Sequence, residues 1–193
     1  MTNQDLSSSR YLSYVLRHNP SDLNLEMDGQ GWVNIPDLVG NSGDRFTYDS
    51  VMRIVREDPK GRYATRPSPV RQFCTQIRAC QGHSVDVSPD LTSLTGDGDL
   101  PAILYHGTAA SNVQSILQTG LQPQSRTHVH LSNTTDTALS VATRHGVPVI
   151  LVVDTYTARF YGAEFFLSEN MVYLANQIDP RALSVQLCSV NNL

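Results

Sequence analysis

Apolar positions recur at helical spacing in the first third of the chain. Between Leu6 and His18 the stripe is Leu12, Val15 and Leu16, with Ser7 to Ser9 as cap candidates, and Asn19-Pro20 stops the run. Gly29-Gln30-Gly31 reads as a turn and Trp32-Val33-Asn34 as a short strand. Ile35 to Val39 opens a second helix, with Pro36 tolerated in its first turn. Val51, Ile54 and Val55 form another stripe between Tyr48 and Arg56. Two extended runs follow, RYATR and QFCTQIRA, with Pro67 and Pro69 between them. Short helices followed by a β-hairpin predict a winged-helix-like lobe over residues 1–90.

Residues 88–100, SPDLTSLTGDGDL, carry no periodicity and are rich in Ser, Thr, Gly and Asp, so a linker is expected over 91–100. Strand and helix patterns then alternate: AILYHGT, SNVQSILQTG, HVHLS, TALSVATRHG and VPVILVVD. Ser111 and Gln114 have capping-box spacing, and Gly120 and Gly146 stand where helices should end. Strand-like FFL, MVYL and SVQLCSV close the chain. The expected fold class is α+β, with a second lobe over 101–193.

Charge narrows the function. A formal net charge of −4 over 193 residues gives no support to broad, non-specific nucleic-acid binding. Yet Lys60 is the only lysine among 14 basic residues. Arginine offers a planar bidentate fork for phosphate or carboxylate, so a few of them can build a local anion site in an acidic protein; lineage bias would give the same composition. Cys74, Cys80 and Cys188 lack CxxC spacing, which argues against a disulfide framework or zinc knuckle. The first ten residues do not read as a signal peptide and no apolar run reaches membrane-spanning length, so a cytoplasmic protein is expected.

Polar groups concentrate in a few places. Arg17 and His18 sit side by side at a helix end; the helix dipole accounts for a cation there, and a phosphate contact is the sharper reading. In IRACQGHS, residues 77–84, Arg78, Gln81, His83 and Ser84 crowd around Gly82, as a functional cluster or as a polar turn leaving a strand. In YHGT a strand ends in His106, followed by Gly107, which permits close approach to the backbone, and Thr108. In HVHLS, His128 and His130 share a strand face. With His106 they make a three-histidine zinc site conceivable, but no spacing brings His106 to them, and no metal is expected. Arg144 lies near the end of the helix TALSVATRHG, again a favourable dipole position.

The order of these motifs is more specific than any one of them. LSYVLRHNPSDLNLEMDGQGWVNIPDLV, IRACQGHS, LYHGT, HVHLS and RHGVPVILVVD together resemble the RNA 2′-phosphotransferase family from about Ser9 to about Leu183. The resemblance implies an RNA-binding winged-helix-like lobe followed by an ADP-ribosyltransferase-like lobe that binds NAD. It implies a catalytic Arg-His-Arg-Arg set on Arg17, His18, Arg78 and Arg144. Cofactor contacts would fall on His106, Gly107, Thr108, His130 and Ser132. Cys80 stands where the family usually has Asn, which puts a hydrogen bond in question, and the stretch RYATRPSPVRQFCTQ is longer and richer in proline than is usual.

The implied reaction takes an internal 2′-phosphate from RNA, such as tRNA, to NAD. In the first step the RNA 2′-phosphate displaces nicotinamide from the ribose carbon, giving an ADP-ribosylated RNA phosphate. In the second the neighbouring ribose hydroxyl attacks that phosphate, RNA leaves with a 2′-hydroxyl, and ADP-ribose 1″,2″-cyclic phosphate is released. Arg17, Arg78 and Arg144 would hold the phosphate, whose oxygens gain charge in the second step. His18 would be the general acid-base, histidine being the side chain that titrates near neutrality. The nearest alternative is an ADP-ribosyltransferase of the same scaffold that caps terminal phosphates of RNA or DNA; a binding module without turnover is a third. A monomer without membrane attachment is expected.

Overall fold

The computed structural model describes residues 3–96 and 98–186, which fall into two compact units, one up to Leu91 and one from Thr92. Among the described residues there are six α-helices and three small antiparallel sheets, a mixed α and β architecture. None of these helices is long and apolar enough to cross a membrane. Cys188, and residues 187–190 of the expected strand SVQLCSV, lie outside the described residues.

In the first unit, α1 (Asn3–Arg17) buries Leu12, Val15 and Leu16 completely. It starts before the serines expected to cap it, and Ser9 lies inside the helix, buried, where its carbonyl accepts a hydrogen bond from Tyr63 Oη at 2.9 Å. Pro20 lacks an N–H and disfavours helical geometry at Asn19, so α1 stops at Arg17. A 3-10 turn, Pro20–Leu23, follows. β1 (Val33–Asn34) leads into α2 (Ile35–Asn41), with Pro36 in the first turn as expected. α3 (Tyr48–Glu57) is opened by a capping box in which Thr47 and Ser50 each accept the other's backbone N–H. β2 (Tyr63–Pro67) and β3 (Thr75–Ala79) pair antiparallel from Tyr63 opposite Ala79 to Pro67 opposite Thr75, and β1 lies on the other side of β3. Leu16, Ile35, Leu38, Val51, Ile54 and Ile77 fill the core beneath.

The second unit is built on β5 (Ile103–Ala109) and β7 (Pro148–Asp154), paired along their full length, with β10 (Leu183–Gln186) on the far side of β7. A second sheet has the order β4 (Thr92–Ser93), β8 (Phe165–Leu167), β9 (Tyr173–Ala175), β6 (Val129–Leu131). Thr92 and Ser93, inside the stretch expected to be a linker, thus pair with β8, and Leu94 beside them is buried. α4 (Ala110–Thr119) starts at Ala110 with no side-chain cap, so Ser111 is inside the helix and the expected capping box is not used. Gly120 ends it with φ +80, where a Cβ would overlap the Ile178 carbonyl. α5 (Thr135–Ala142) stops two residues before Arg144, which occupies the turn beyond the helix rather than its last turn. α6 (Thr155–Phe160) follows β7 directly.

Candidate functional site

Three of the residues singled out by sequence meet in the first unit. Arg17 ends α1 and His18 is exposed just beyond it. The segment leaving β3 returns to this helix end: Ser84 donates its backbone N–H to the Arg17 carbonyl at 2.9 Å, and its hydroxyl lies 3.0 Å from His18 Nδ1. Gly82 lets the two strands of chain come this close. Its φ is +87, and a Cβ there would stand 3.6 Å from Arg17 Nε and 3.7 Å from the guanidinium carbon. The Arg17 side chain therefore lies along the Gly82 backbone, with Ser84 orienting the neighbouring imidazole.

Arg78 reaches the same place from β3. Its side chain is 1% exposed, an extreme for arginine, and is held by groups that sequence reasoning did not single out. The guanidinium carbon stands 4.5 Å from the centre of the Trp32 ring, over which Arg66 also lies at 4.2 Å. Arg78 Nη1 donates to the Gln30 carbonyl at 3.3 Å and to Asp90 Oδ2 at 3.4 Å, while Gln30 Nε2 donates to Asp90 Oδ1 at 2.7 Å. Neither the platform nor the carboxylate has a motif of its own.

His83 ties the cluster together. It is fully buried, among the described residues neither ring nitrogen has a hydrogen-bond partner, and Nε2 would be 3.3 Å from a Cβ on Gly31. Burial, and then the charges of Arg17, Arg78 and His18, push its pKa down to about 4, so it is neutral near pH 7. A polar turn would have left this imidazole in water. Its surroundings show that Arg17, His18 and Arg78 form one electropositive cluster, chemically suited to a phosphate dianion beside a proton carrier. Cys80 is buried, and its thiol donates to the Gly61 carbonyl at 3.4 Å, so a donor survives where asparagine was expected.

In the second unit, His106 on β5 comes beside the HVHLS segment. Tyr105 and Ser132 exchange backbone hydrogen bonds, each 2.8 Å, and His106 Nδ1 lies 3.0 Å from the His130 carbonyl. His106, His130 and Ser132, which no spacing could join, are thus neighbours. Burial lowers the His106 pKa, opposed by its bond to the His130 carbonyl, and Arg126 and His145 lower it further. His130 Nδ1 is 3.1 Å from the His128 carbonyl and 3.3 Å from Arg126 Nη1; the first contact needs a protonated nitrogen and the second a lone pair, so the tautomer selects between them. His128 packs edge-on against Phe166 instead, and burial lowers its pKa. Thr108 is buried and accepts from Asn112 Nδ2 at 3.4 Å. The close approach that Gly107 permits is that of α5, since a Cβ there would overlap the Ala138 carbonyl. Arg144 is exposed. Among the described residues no three His, Cys, Asp or Glu side chains are grouped to hold a metal ion.

Known proteins resemble this chain over nearly its whole length. The model of the RNA 2′-phosphotransferase, Tpt1/KptA family matches residues 3–177. A protein of Fusobacterium nucleatum named "Probable RNA 2′-phosphotransferase" is 40% identical over 181 residues, 92% of this chain and 96% of its own length. Proteins of the same name from Hahella chejuensis and Burkholderia pseudomallei are 41% and 39% identical, covering 93% and 90% of this chain and 93% and 91% of theirs. With matches spanning nearly its whole length and the motif residues clustered as described, the chain belongs to the RNA 2′-phosphotransferase, Tpt1/KptA family.

Proposed function

We propose that this protein is an NAD⁺-dependent RNA 2′-phosphotransferase of the cytoplasm, acting on an internal 2′-phosphate. Family membership and the relatives' names support the RNA 2′-phosphotransferase activity. The observation that carries the chemistry is the gathering of Arg17, His18 and Arg78 around the buried His83. We read the first unit as winged-helix-like, in keeping with three helices and an antiparallel hairpin. We read the second as an ADP-ribosyltransferase-like lobe, in keeping with His106 on one sheet set against the His130–Ser132 edge of another.

NAD⁺ supplies the electrophilic ribose carbon that accepts the phosphate, nicotinamide leaves, and ADP-ribose 1″,2″-cyclic phosphate is the final product beside RNA with a 2′-hydroxyl. The second unit suits such a partner. His106, held near the His130 carbonyl, offers an uncharged imidazole to the nicotinamide side, with the Gly107 backbone, Thr108, His130 and Ser132 as the other contacts. In the first unit, Arg78 stacks on Trp32 and is fixed in direction, so it meets an anion without first losing side-chain freedom. Arg17 lies along Gly82 and adds a second fork. His18, oriented through Ser84, carries the proton to or from the RNA 2′-oxygen. Arg144 is assigned to the phosphoryl oxygens in the second step.

Mass analysis of the products formed from NAD⁺ and an internally 2′-phosphorylated RNA tests the reading. Equimolar nicotinamide, cyclic phosphate and dephosphorylated RNA are expected. Consumption of NAD⁺ only with 5′-phosphorylated oligonucleotides would overturn it.

A further inference from the structure

Residues 60–78 carry Lys60, Arg62, Arg66, Arg71 and Arg78 and not one Asp or Glu, in a chain whose net charge is −4. They form the β2–β3 hairpin, and its tip has an unusual feature. Phe73 is 99% exposed, and its φ is +59. A bulky side chain in the left-handed region is a costly outlier that persists only where the surroundings impose it. Here they do. Ser68 donates its N–H to the Cys74 carbonyl at 2.7 Å and Cys74 donates to the Arg71 carbonyl at 3.3 Å, while the Ser68 hydroxyl accepts from the N–H groups of Arg71 and Val70 at 3.1 and 3.4 Å. Arg71 Nη1 donates to both carboxylate oxygens of Asp37, at 2.8 and 2.9 Å. A built loop thus holds an aromatic ring out in solvent.

Resting on the RNA reading above, we propose that the hairpin tip is an RNA contact, with Phe73 stacking on an unpaired base of the strand that carries the 2′-phosphate and Arg71 taking a flanking phosphate. The chemistry selects this occupant. Exposed aromatics beside guanidinium groups are how proteins hold single-stranded RNA, because every base offers a π face and every linkage a charge. At the tip only Phe73 and Val70 are exposed large apolar residues, too few for the apolar centre of a protein interface. Arg66 and Arg71 are paired with Asp28 and Asp37, but these are exposed ion pairs, whose small stability lets a phosphate replace the carboxylate. Five residue-to-residue steps of near-extended chain lead from Phe73 to Arg78, about 17 Å at the usual strand rise. The stacked base therefore lies up to about five nucleotides from the bound phosphate, at ~3.4 Å per stacked nucleotide.

Fluorescence anisotropy of a labelled single-stranded RNA of about twelve nucleotides with a central 2′-phosphate, without NAD⁺, tests this on the full chain. Phe73→Ala should weaken binding by about five- to a hundred-fold, the range covered by loss of one base–aromatic stack. The loss should be confined to RNAs long enough to reach the tip, and the melting temperature should not fall. Phe73→Trp should restore affinity, with its added emission quenched by the RNA. Equal affinities for the wild type and Phe73→Ala, alongside wild-type turnover of the same RNA with NAD⁺, would overturn this inference alone. A wild type that neither binds nor turns over this RNA would overturn the functional reading, and the inference with it.

Discussion

Replacing His83 with glutamine should flatten the acid limb of the protein's stability curve. In the folded chain burial and the cations Arg17, Arg78 and His18 hold His83 at a pKa of about 4, against 6.5 for an ordinary histidine. Between those values the unfolded chain binds a proton that the folded chain refuses, so stability falls as pH drops through 6.5 and levels off below about 4. The loss amounts to about 2 kcal/mol by about pH 5 and ~3 kcal/mol at the plateau. Carboxylates with lowered pKa values, such as Asp58 and Asp37, lose their contribution only below the ordinary carboxylate range, under this window. Burial also lowers the pKa of His106 and of His128, but both are common to the two proteins and cancel in the comparison. Glutamine keeps a polar group of similar size in the tight space beside Gly31 without the titration. Urea unfolding at about pH 7.5, 6 and 5 should show the wild type losing about one proton's worth of slope more than His83→Gln. Parallel curves would mean that His83 is not held neutral, and that the arginines do not crowd it as described.

His18→Ala should lower turnover of 2′-phosphorylated RNA by about 10²-fold or more while the melting temperature holds, since His18 is exposed; near-wild-type rates would remove it from the mechanism. Arg144→Ala should let an ADP-ribosylated RNA phosphate accumulate on a denaturing gel if this arginine serves mainly the second step, and absence of that band alongside slowed turnover would count against the division. Gly107→Ala should destabilise the chain by about 1–3 kcal/mol, because the new methyl overlaps the Ala138 carbonyl and α5 must move; an unchanged melting curve would show that α5 does not rest on β5 there.

The fold was legible wherever burial follows large apolar residues. Leu12, Val15 and Leu16 announced α1, Val51 and Ile54 announced α3, and the run VPVILVVD gave β7. α6 escaped for the opposite reason. Its buried residues are Thr155 and Ala158, while Tyr156 and Phe160 are 81% and 75% exposed, so a pattern that counts aromatic residues as core points to the wrong face. β4 is two exposed residues long and leaves no alternation to detect. Helix ends failed where side chains act against type: Ser9 is buried rather than capping, and α5 gives way to a turn before Arg144.

The site was legible as separate words and not as a sentence. RHNP and QGHS named Arg17, His18 and Ser84, but only the hydrogen bond from Ser84 to the Arg17 carbonyl, made possible by Gly82 at positive φ, puts them in one place. What the motifs leave out is the support. Trp32, Gln30 and Asp90 come from turns and connecting chain, yet they help to fix Arg78, whose side chain is only 1% exposed. His83 carries the same logic further. In a cluster of cations, a group that could take a proton is made unable to do so near neutrality, which spares the cluster another positive charge without a bulky apolar side chain in the gap. Residue types announce the groups that meet the substrate; the groups that hold them still are chosen by shape and polarisability, and sequence spacing carries little trace of either.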